Sequence, residues 1–215
     1  MLKPFVAIIF FLLPFVATAE DFVAGKDYEI VSNFSDSAPV NPKIEVIEFF
    51  SFGCPWCYRI EPTLMAWVKQ QGNSIRFSRV PVVFKQTWVN YAKAYYTAQG
   101  LGLDSKLTPL LFKEIQSKKE GEALKSSEEM IKFFTDQGVD LATAKSAFEN
   151  STTIDMEVKE GTTLMSRYRV SGVPAVVINN QYKTDLQMAK NEARFLKILD
   201  FLVAKASKKE GKTQG

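Results

Sequence analysis

The 215-residue chain contains no histidine and only two cysteines, and each scarcity removes a class of chemistry. A structural zinc site takes about four ligands, commonly thiolates and imidazoles, and this chain cannot assemble that set from two cysteines. Covalent haem attachment needs histidine directly after a Cys-x-x-Cys pair; here that position is Tyr58. Charge of one sign is also lacking, with 27 Lys and Arg against 24 Asp and Glu. A nucleic-acid binder would concentrate basic residues on one face, whereas Lys118-Lys119 and Lys208-Lys209 are short runs that read as solvated surface. No internal repeat is visible.

Long hydrophobic runs are missing as well. The longest is at the start, where Lys3 precedes the apolar stretch Pro4 to Val16 and Ala17-Thr18-Ala19 supplies a small-x-small cleavage site. That stretch is shorter than the roughly 20 residues of a membrane span. It reads as a secretory signal over residues 1–19, with an uncleaved anchor as the other reading. No cysteine stands at the cleavage point to carry a lipid. The mature chain would be close to neutral and long enough for one or two compact units. Export, with a bacterial periplasm as the expected destination, is an environment in which disulfides persist.

What is present is a Cys54-Pro55-Trp56-Cys57 motif directly after the apolar run Ile44 to Phe50. Pro55 suits the first position of a helix, where its missing N–H costs nothing. A helix start offers unpaired N–H groups and positive potential, which favour a thiolate on the first cysteine. The second thiol, one turn on, is near enough to close a disulfide. A purely structural disulfide is the competing reading, but so small a loop adds little stability in the chain-entropy model.

Along the chain, Tyr28 to Val31 suggests a first short strand, and Asn33 to Pro42 a polar loop. Ile44 to Phe50 is β-prone and nearly all apolar, as a central strand covered on both faces should be. Ile60, Leu64, Trp67 and Val68 follow helical spacing, Gly72-Asn73 stops that helix, and Ile75 to Val83 reads as the next strand. Helical patterns then follow alone: Thr87 to Gln99, Leu107 to Ser117, one opened by the capping box Ser126 to Glu129, and one after Asp140 over Leu141 to Asn150. A helix over Thr153 to Tyr168 leads to a strand at Ala175 to Ile178, an Asn179-Asn180 turn and a return strand from Gln181 to Lys183. A last helix is expected over Met188 to Lys205, with a frayed tail from Ala206. The expected fold class is therefore α/β, thioredoxin-like, with an inserted all-helical domain. Its parts would be residues 20–83 with 162–215 as the thioredoxin-like domain and residues 84–161 as the helical insertion.

Glu48 to Cys57 resembles the active-site segment of the DsbA family of periplasmic thiol oxidases. Gly172-Val173-Pro174 is similar to that family's cis-proline loop, and Pro81 to Phe84 with Tyr91 to Tyr96 resembles its passage into the helical insert. The resemblance implies disulfide donation through a mixed disulfide at Cys54, with Cys54 exposed and of low pKa and Cys57 more buried. It implies that Pro174 is cis and presents the Val173 backbone to an unfolded substrate. A proline after a glycine-containing turn could otherwise be only a turn residue. Valine before the proline resembles the oxidase branch of the family. It further implies that Glu48 is a buried acid paired with Arg79, a candidate proton relay; the plainer reading of Glu48 is a strand-end carboxylate reaching water. Where relatives often carry lysine, Arg79 stays charged and is a poor proton shuttle.

Trp56 stands where the familiar oxidase has histidine, so the Cys54 pKa is expected in the upper part of about 3.5–7.5. The indole is either an apolar substrate platform or an aromatic packed on the helix. By resemblance, no cofactor or metal is needed beyond the redox-active disulfide of Cys54 and Cys57. The partners implied are unfolded or newly exported thiol-containing proteins and a DsbB-like membrane reoxidant, for a monomer that binds no nucleic acid. Two other functions remain in view: an isomerase or reductase using the same dithiol, and a non-catalytic peptide-binding chaperone.

Overall fold

The computed structural model describes residues 21–31, 43–117 and 123–213. The proposed signal over residues 1–19, most of the polar loop before Ile44 and the Lys118-Lys119 run lie outside the described residues.

Five strands form one mixed sheet in the order β1–β5–β4–β2–β3. They are β1 (Glu29–Ile30), β2 (Ile44–Phe50), β3 (Ile75–Pro81), β4 (Ala175–Ile178) and β5 (Tyr182–Asp185). β2 pairs parallel with β3 and antiparallel with β4. Its nearly unbroken apolar sequence follows from cover on both faces. Ile44 and Val46 pack among Ile60 and Leu64 of helix α1 (Pro55–Gln71) and Phe195, Ile198 and Leu199 of helix α8 (Glu192–Thr213). Ile47 and Phe49 face the other way, toward Tyr168, Val170 and Val177. The β4–β5 hairpin turns through Asn179 and Asn180, both at positive φ (50° and 56°), the backbone that a two-residue primed turn demands and asparagine tolerates.

Between β3 and β4 the described residues are helical: α2 (Trp88–Gly100), α3 (Asp104–Ser117), α4 (Ser127–Asp136), α5 (Leu141–Lys145) running into a π-helical turn at Ser146–Asn150, and α6 (Thr152–Arg167). Both expected caps are in place. The Glu129 N–H donates to Ser126 Oγ at 3.1 Å while the Ser126 N–H donates to Glu129 Oε2 at 3.0 Å. Asp140 Oδ1 accepts from the amides of Ala142 and Thr143, each at 3.0 Å.

The end of the chain departs from expectation. In place of one helix from Met188, a single turn, α7 (Leu186–Ala189), stops at Lys190, whose φ is +69°, and α8 begins afresh at Glu192. Two side chains account for the break: Asp185 Oδ1 accepts from Met188 N at 2.7 Å, and Asn191 Oδ1 accepts from Arg194 N at 2.8 Å. Each offers the backbone a fresh N-cap. The tail also stays helical through Thr213, with Ala206 buried.

The rings of Phe50, Phe52 and Phe112 join the sheet, the loop after β2 and α3. Phe112 lies 4.8 Å from Phe52, 5.8 Å from Phe50 and 5.9 Å from Tyr58 of α1, centroid to centroid. Because Phe112 is fully buried among these rings, Phe112→Ala should cost about 3–5 kcal/mol of stability. Urea unfolding of the variant checks this; a loss below about 1 kcal/mol would show that the helices can close the gap.

Candidate active site

The loop Ser51–Gly53 delivers the chain from β2 into α1. The Cys54 amide donates to the Ser51 carbonyl at 3.0 Å, and the Gly53 amide donates to Ser51 Oγ at 3.1 Å. Gly53 is required here by close approach, because a Cβ would run into the indole of Trp88. Gln116 at the end of α3 donates to the Phe52 carbonyl at 2.6 Å, so the helical region grips the loop by its backbone as well as by its rings.

Cys54 is the N-cap of α1, with φ −97° and ψ 114°, and Pro55 opens the helix. Its sulfur accepts the Cys57 amide at 3.4 Å, the role that a serine or aspartate oxygen fills at other helix starts. Both cysteines are free thiols. The hydrogen bond from the Cys57 thiol, helped by the backbone amides of Cys57 and Trp56, pulls the Cys54 pKa down to about 7 against the opposing effect of burial. Burial pushes Cys57 well above the ordinary thiol range, and its bond to Cys54 adds to the shift. Cys54 is more enclosed than expected: 6% of its surface is exposed, against 0% for Cys57.

The Val173–Pro174 peptide bond is cis, and the Cys54 thiol donates to the Val173 carbonyl at 3.3 Å. Trp56 is 55% exposed rather than packed down on the helix. Beside it a groove of about 790 Å³ is walled by Trp56, Val173, Pro174 and Leu186.

Beneath the cysteines lies an ionic cluster. Glu48 and Arg79 are register partners across β2 and β3, and Arg79 Nε donates to Glu48 Oε2 at 2.8 Å. Glu48 is 1% exposed, which disposes of the reading in which its carboxylate reaches water. Sequence reasoning missed the third member: Glu61 of α1 takes Arg79 Nη2 at 2.5 Å. Its signal was available, since Glu61 stands four positions after Cys57, which places both on one helix face. One guanidinium thus serves two carboxyls. Burial raises the Glu48 pKa to about 7, with Arg79 opposing and Glu61 reinforcing the shift. Burial alone would lower Arg79, but Glu48 and Glu61 outweigh it and hold the guanidinium charged. Glu48 Oε1 has no hydrogen-bond partner among the described residues. Also among these residues, no group of three or more Cys, His, Asp or Glu is placed to hold a metal.

A helix-capping thiol of lowered pKa, a buried second thiol one turn on and a cis-proline carbonyl against the first sulfur define a thiol–disulfide exchange centre on a thioredoxin-like sheet. Comparison with known proteins narrows this. Residues 45–197 match the model of the DSBA-like thioredoxin domain, and the chain belongs to that family. It is 37% identical over 187 residues to the thiol:disulfide interchange protein DsbA of Burkholderia cepacia, covering 87% of each chain. Its identity to the protein of the same name from Pseudomonas aeruginosa is 34% over 196 residues, or 90% of each. Among solved structures, a glutamate-to-isoleucine variant of P. aeruginosa DsbA superposes with a TM-score of 0.76 at 32% identity, covering 86% of this chain and 98% of that one. A cysteine-to-serine variant of Proteus mirabilis DsbA, solved with a non-covalently bound peptide, superposes at 0.67 with 25% identity over 87% of this chain and 99% of that one.

Two of the shifted groups, Glu48 and Cys54, shape how the stability of the reduced protein varies around neutral pH. Glu48 has a folded pKa of about 7 against 4.5 unfolded, so the folded state keeps a proton that the unfolded state releases. Its contribution falls as pH rises from about 4.5 to about 7, by roughly 3 kcal/mol in all, and is flat above. Cys54 has the opposite sign, about 7 folded against 9.0, so its contribution grows from about pH 7 to 9. Urea unfolding across pH should therefore show Glu48→Gln flattening the lower limb and Cys54→Ser removing the upper one. An unchanged lower limb in Glu48→Gln would refute the buried-acid assignment.

Alkylation of the reduced protein offers an independent check. Its rate should titrate with a midpoint near pH 7, from Cys54 alone. Because the Glu48 charge raises the Cys54 pKa, Glu48→Gln should move that midpoint down. A midpoint above 8 would contradict the capping account.

Proposed function

We propose that this chain is a periplasmic dithiol oxidase, delivered by the signal over residues 1–19, that donates its Cys54–Cys57 disulfide to exported proteins. The observation that carries the reading is the asymmetry of the two thiols: lowered at Cys54 and raised at Cys57. A substrate thiolate attacks Cys54 Sγ, the Cys54–Cys57 bond breaks, and Cys57 leaves with the electron pair. Its raised pKa then draws a proton, for which buried Glu48, whose charge acts on Cys57, is the candidate donor. A second substrate thiolate attacks the substrate sulfur of the mixed disulfide and expels Cys54 as the capped thiolate. Two electrons have passed from the substrate dithiol to the enzyme, and the substrate holds the disulfide.

In this reading the Val173 carbonyl and Pro174 hold the substrate backbone beside Cys54, while Pro55 sets the start of the helix. Arg79 fixes Glu48 and does not shuttle protons, because it stays charged. Residues 20–83 with 162–215 act as the thioredoxin-like domain, and residues 84–161 as a helical domain that clamps the active loop. The clients are unfolded thiol-containing proteins, reoxidation falls to a DsbB-like membrane partner, and the enzyme works as a monomer.

One observation favours the reductase or isomerase reading. A Cys54 pKa of about 7 leaves the sulfur half-ionised at neutral pH. That stabilises the reduced form by only about 0.4 kcal/mol over an ordinary thiol, or roughly 10 mV of potential. The equilibrium potential against glutathione decides between the readings. The oxidase requires a value well above that couple, whereas one near about −270 mV, the thioredoxin range, would reverse the assignment. Cys57→Ser should trap a mixed disulfide with a reduced unfolded protein, and Cys54→Ser should not.

A further inference from the structure

Arg59 bridges two elements beside the catalytic cysteines. Its guanidinium carbon lies 5.2 Å from the centroid of the exposed Trp56 ring, and its Nε lies 2.6 Å from Glu192 Oε1 in the first turn of α8, a charge pair without the alignment of a hydrogen bond. Arg59 is largely exposed, so the pair adds little to stability. Its geometric effect is larger. Trp56 projects from the first turn of α1 and is 55% exposed, so burial holds it only partly, and the guanidinium above its face, paired across to α8, limits where the ring can lie. The ring then forms a standing wall of the groove that Val173, Pro174 and Leu186 also line. Asp185, Glu192, Arg59 and Lys190 also line that groove, and their formal charges cancel. With no net charge to discriminate, the exposed indole is the feature of this mixed polar and apolar lining that should select what enters.

We propose that Arg59, held by Glu192, is a positioning residue that fixes Trp56 as an apolar wall and thereby makes this enzyme prefer substrate cysteines flanked by an aromatic or large aliphatic side chain. The inference rests on the oxidase reading and deepens it. The Val173 carbonyl lies against the Cys54 sulfur, so a substrate joined at Cys54 and extended along the cis-proline loop brings residues within about two positions of its cysteine to the groove.

The test uses the full mature oxidised protein and three dithiol peptides that differ only beside the cysteine: tryptophan, serine or aspartate. Each kcat/KM is divided by the same variant's rate with dithiothreitol, which has no side chain to place in the groove. Arg59→Met and Glu192→Gln should each lower the tryptophan-to-serine preference by about two- to five-fold, the scale of an exposed cation–π contact. Arg59→Lys should restore most of it. The charge readout separates positioning from simple electrostatics. Arg59→Met leaves the groove with one excess negative charge and should disfavour the aspartate peptide. Glu192→Gln leaves one excess positive charge and should favour it. A tryptophan preference that is unchanged, or that moves in opposite directions in the two variants, overturns the proposal. Failure of the unsubstituted protein to oxidise any peptide, while dithiothreitol is oxidised, overturns the oxidase reading along with it.

Discussion

The chemistry of this fold depends on the hydrogen bonds that converge on the Cys54 sulfur, from the Cys57 thiol first and then from the Cys57 and Trp56 amides. A helix start leaves its first N–H groups without partners inside the helix, and in most helices a serine, threonine or aspartate oxygen takes one of them. Here the cap is a sulfur, and a sulfur caps best as a thiolate. The stability of the first turn of α1 and the ionisation of Cys54 are consequently linked. Whatever fixes the first turn of α1 also fixes the thiol, which gives Phe112 and the Gln116 bond to the Phe52 carbonyl a chemical consequence beyond packing.

The ionic cluster below sets the second constraint. Two carboxyls around one guanidinium, all largely enclosed, carry one negative charge too many if both ionise. Water is too scarce there to absorb the excess. Glu48 answers by holding its proton up to about pH 7. Lysine in place of Arg79 could surrender its own proton, but arginine cannot, so the adjustment falls entirely on the acid.

Much of this was legible in the sequence because it depends on local rules. Pro55 after Cys54, the Ser126 box, the Asp140 cap and the Asn179-Asn180 turn each follow from backbone chemistry within four residues. Resemblance supplied the cis bond at Pro174 and the pairing of Glu48 with Arg79, which strand register then realised. What escaped depended on tertiary approach. Glu61 joins the cluster only because α1 lies over β3, and Arg59 meets Glu192 only because α8 starts two residues beyond a left-handed Lys190. The expected single helix from Met188 failed for the same reason: Asp185 and Asn191 look like ordinary polar residues until the chain offers them amides to cap.

Trp56 in place of histidine draws these strands together. An imidazolium between the cysteines would supply a positive charge to the thiolate; an indole supplies none. Stabilisation of Cys54 therefore falls to the Cys57 thiol and two backbone amides, with burial and the Glu48 charge working against them. Glu48 and Cys54 both titrate near pH 7, so neither changes charge without affecting the other. A proton on Glu48 removes the charge that opposes the Cys54 thiolate; in the proposed cycle its loss to Cys57 would restore that charge as the mixed disulfide forms. When Cys54 is later expelled as a thiolate, reprotonation of Glu48 from solvent would ease its departure. With no cationic neighbour between the cysteines, the protonation state of Glu48 bears directly on how readily Cys54 holds a negative charge.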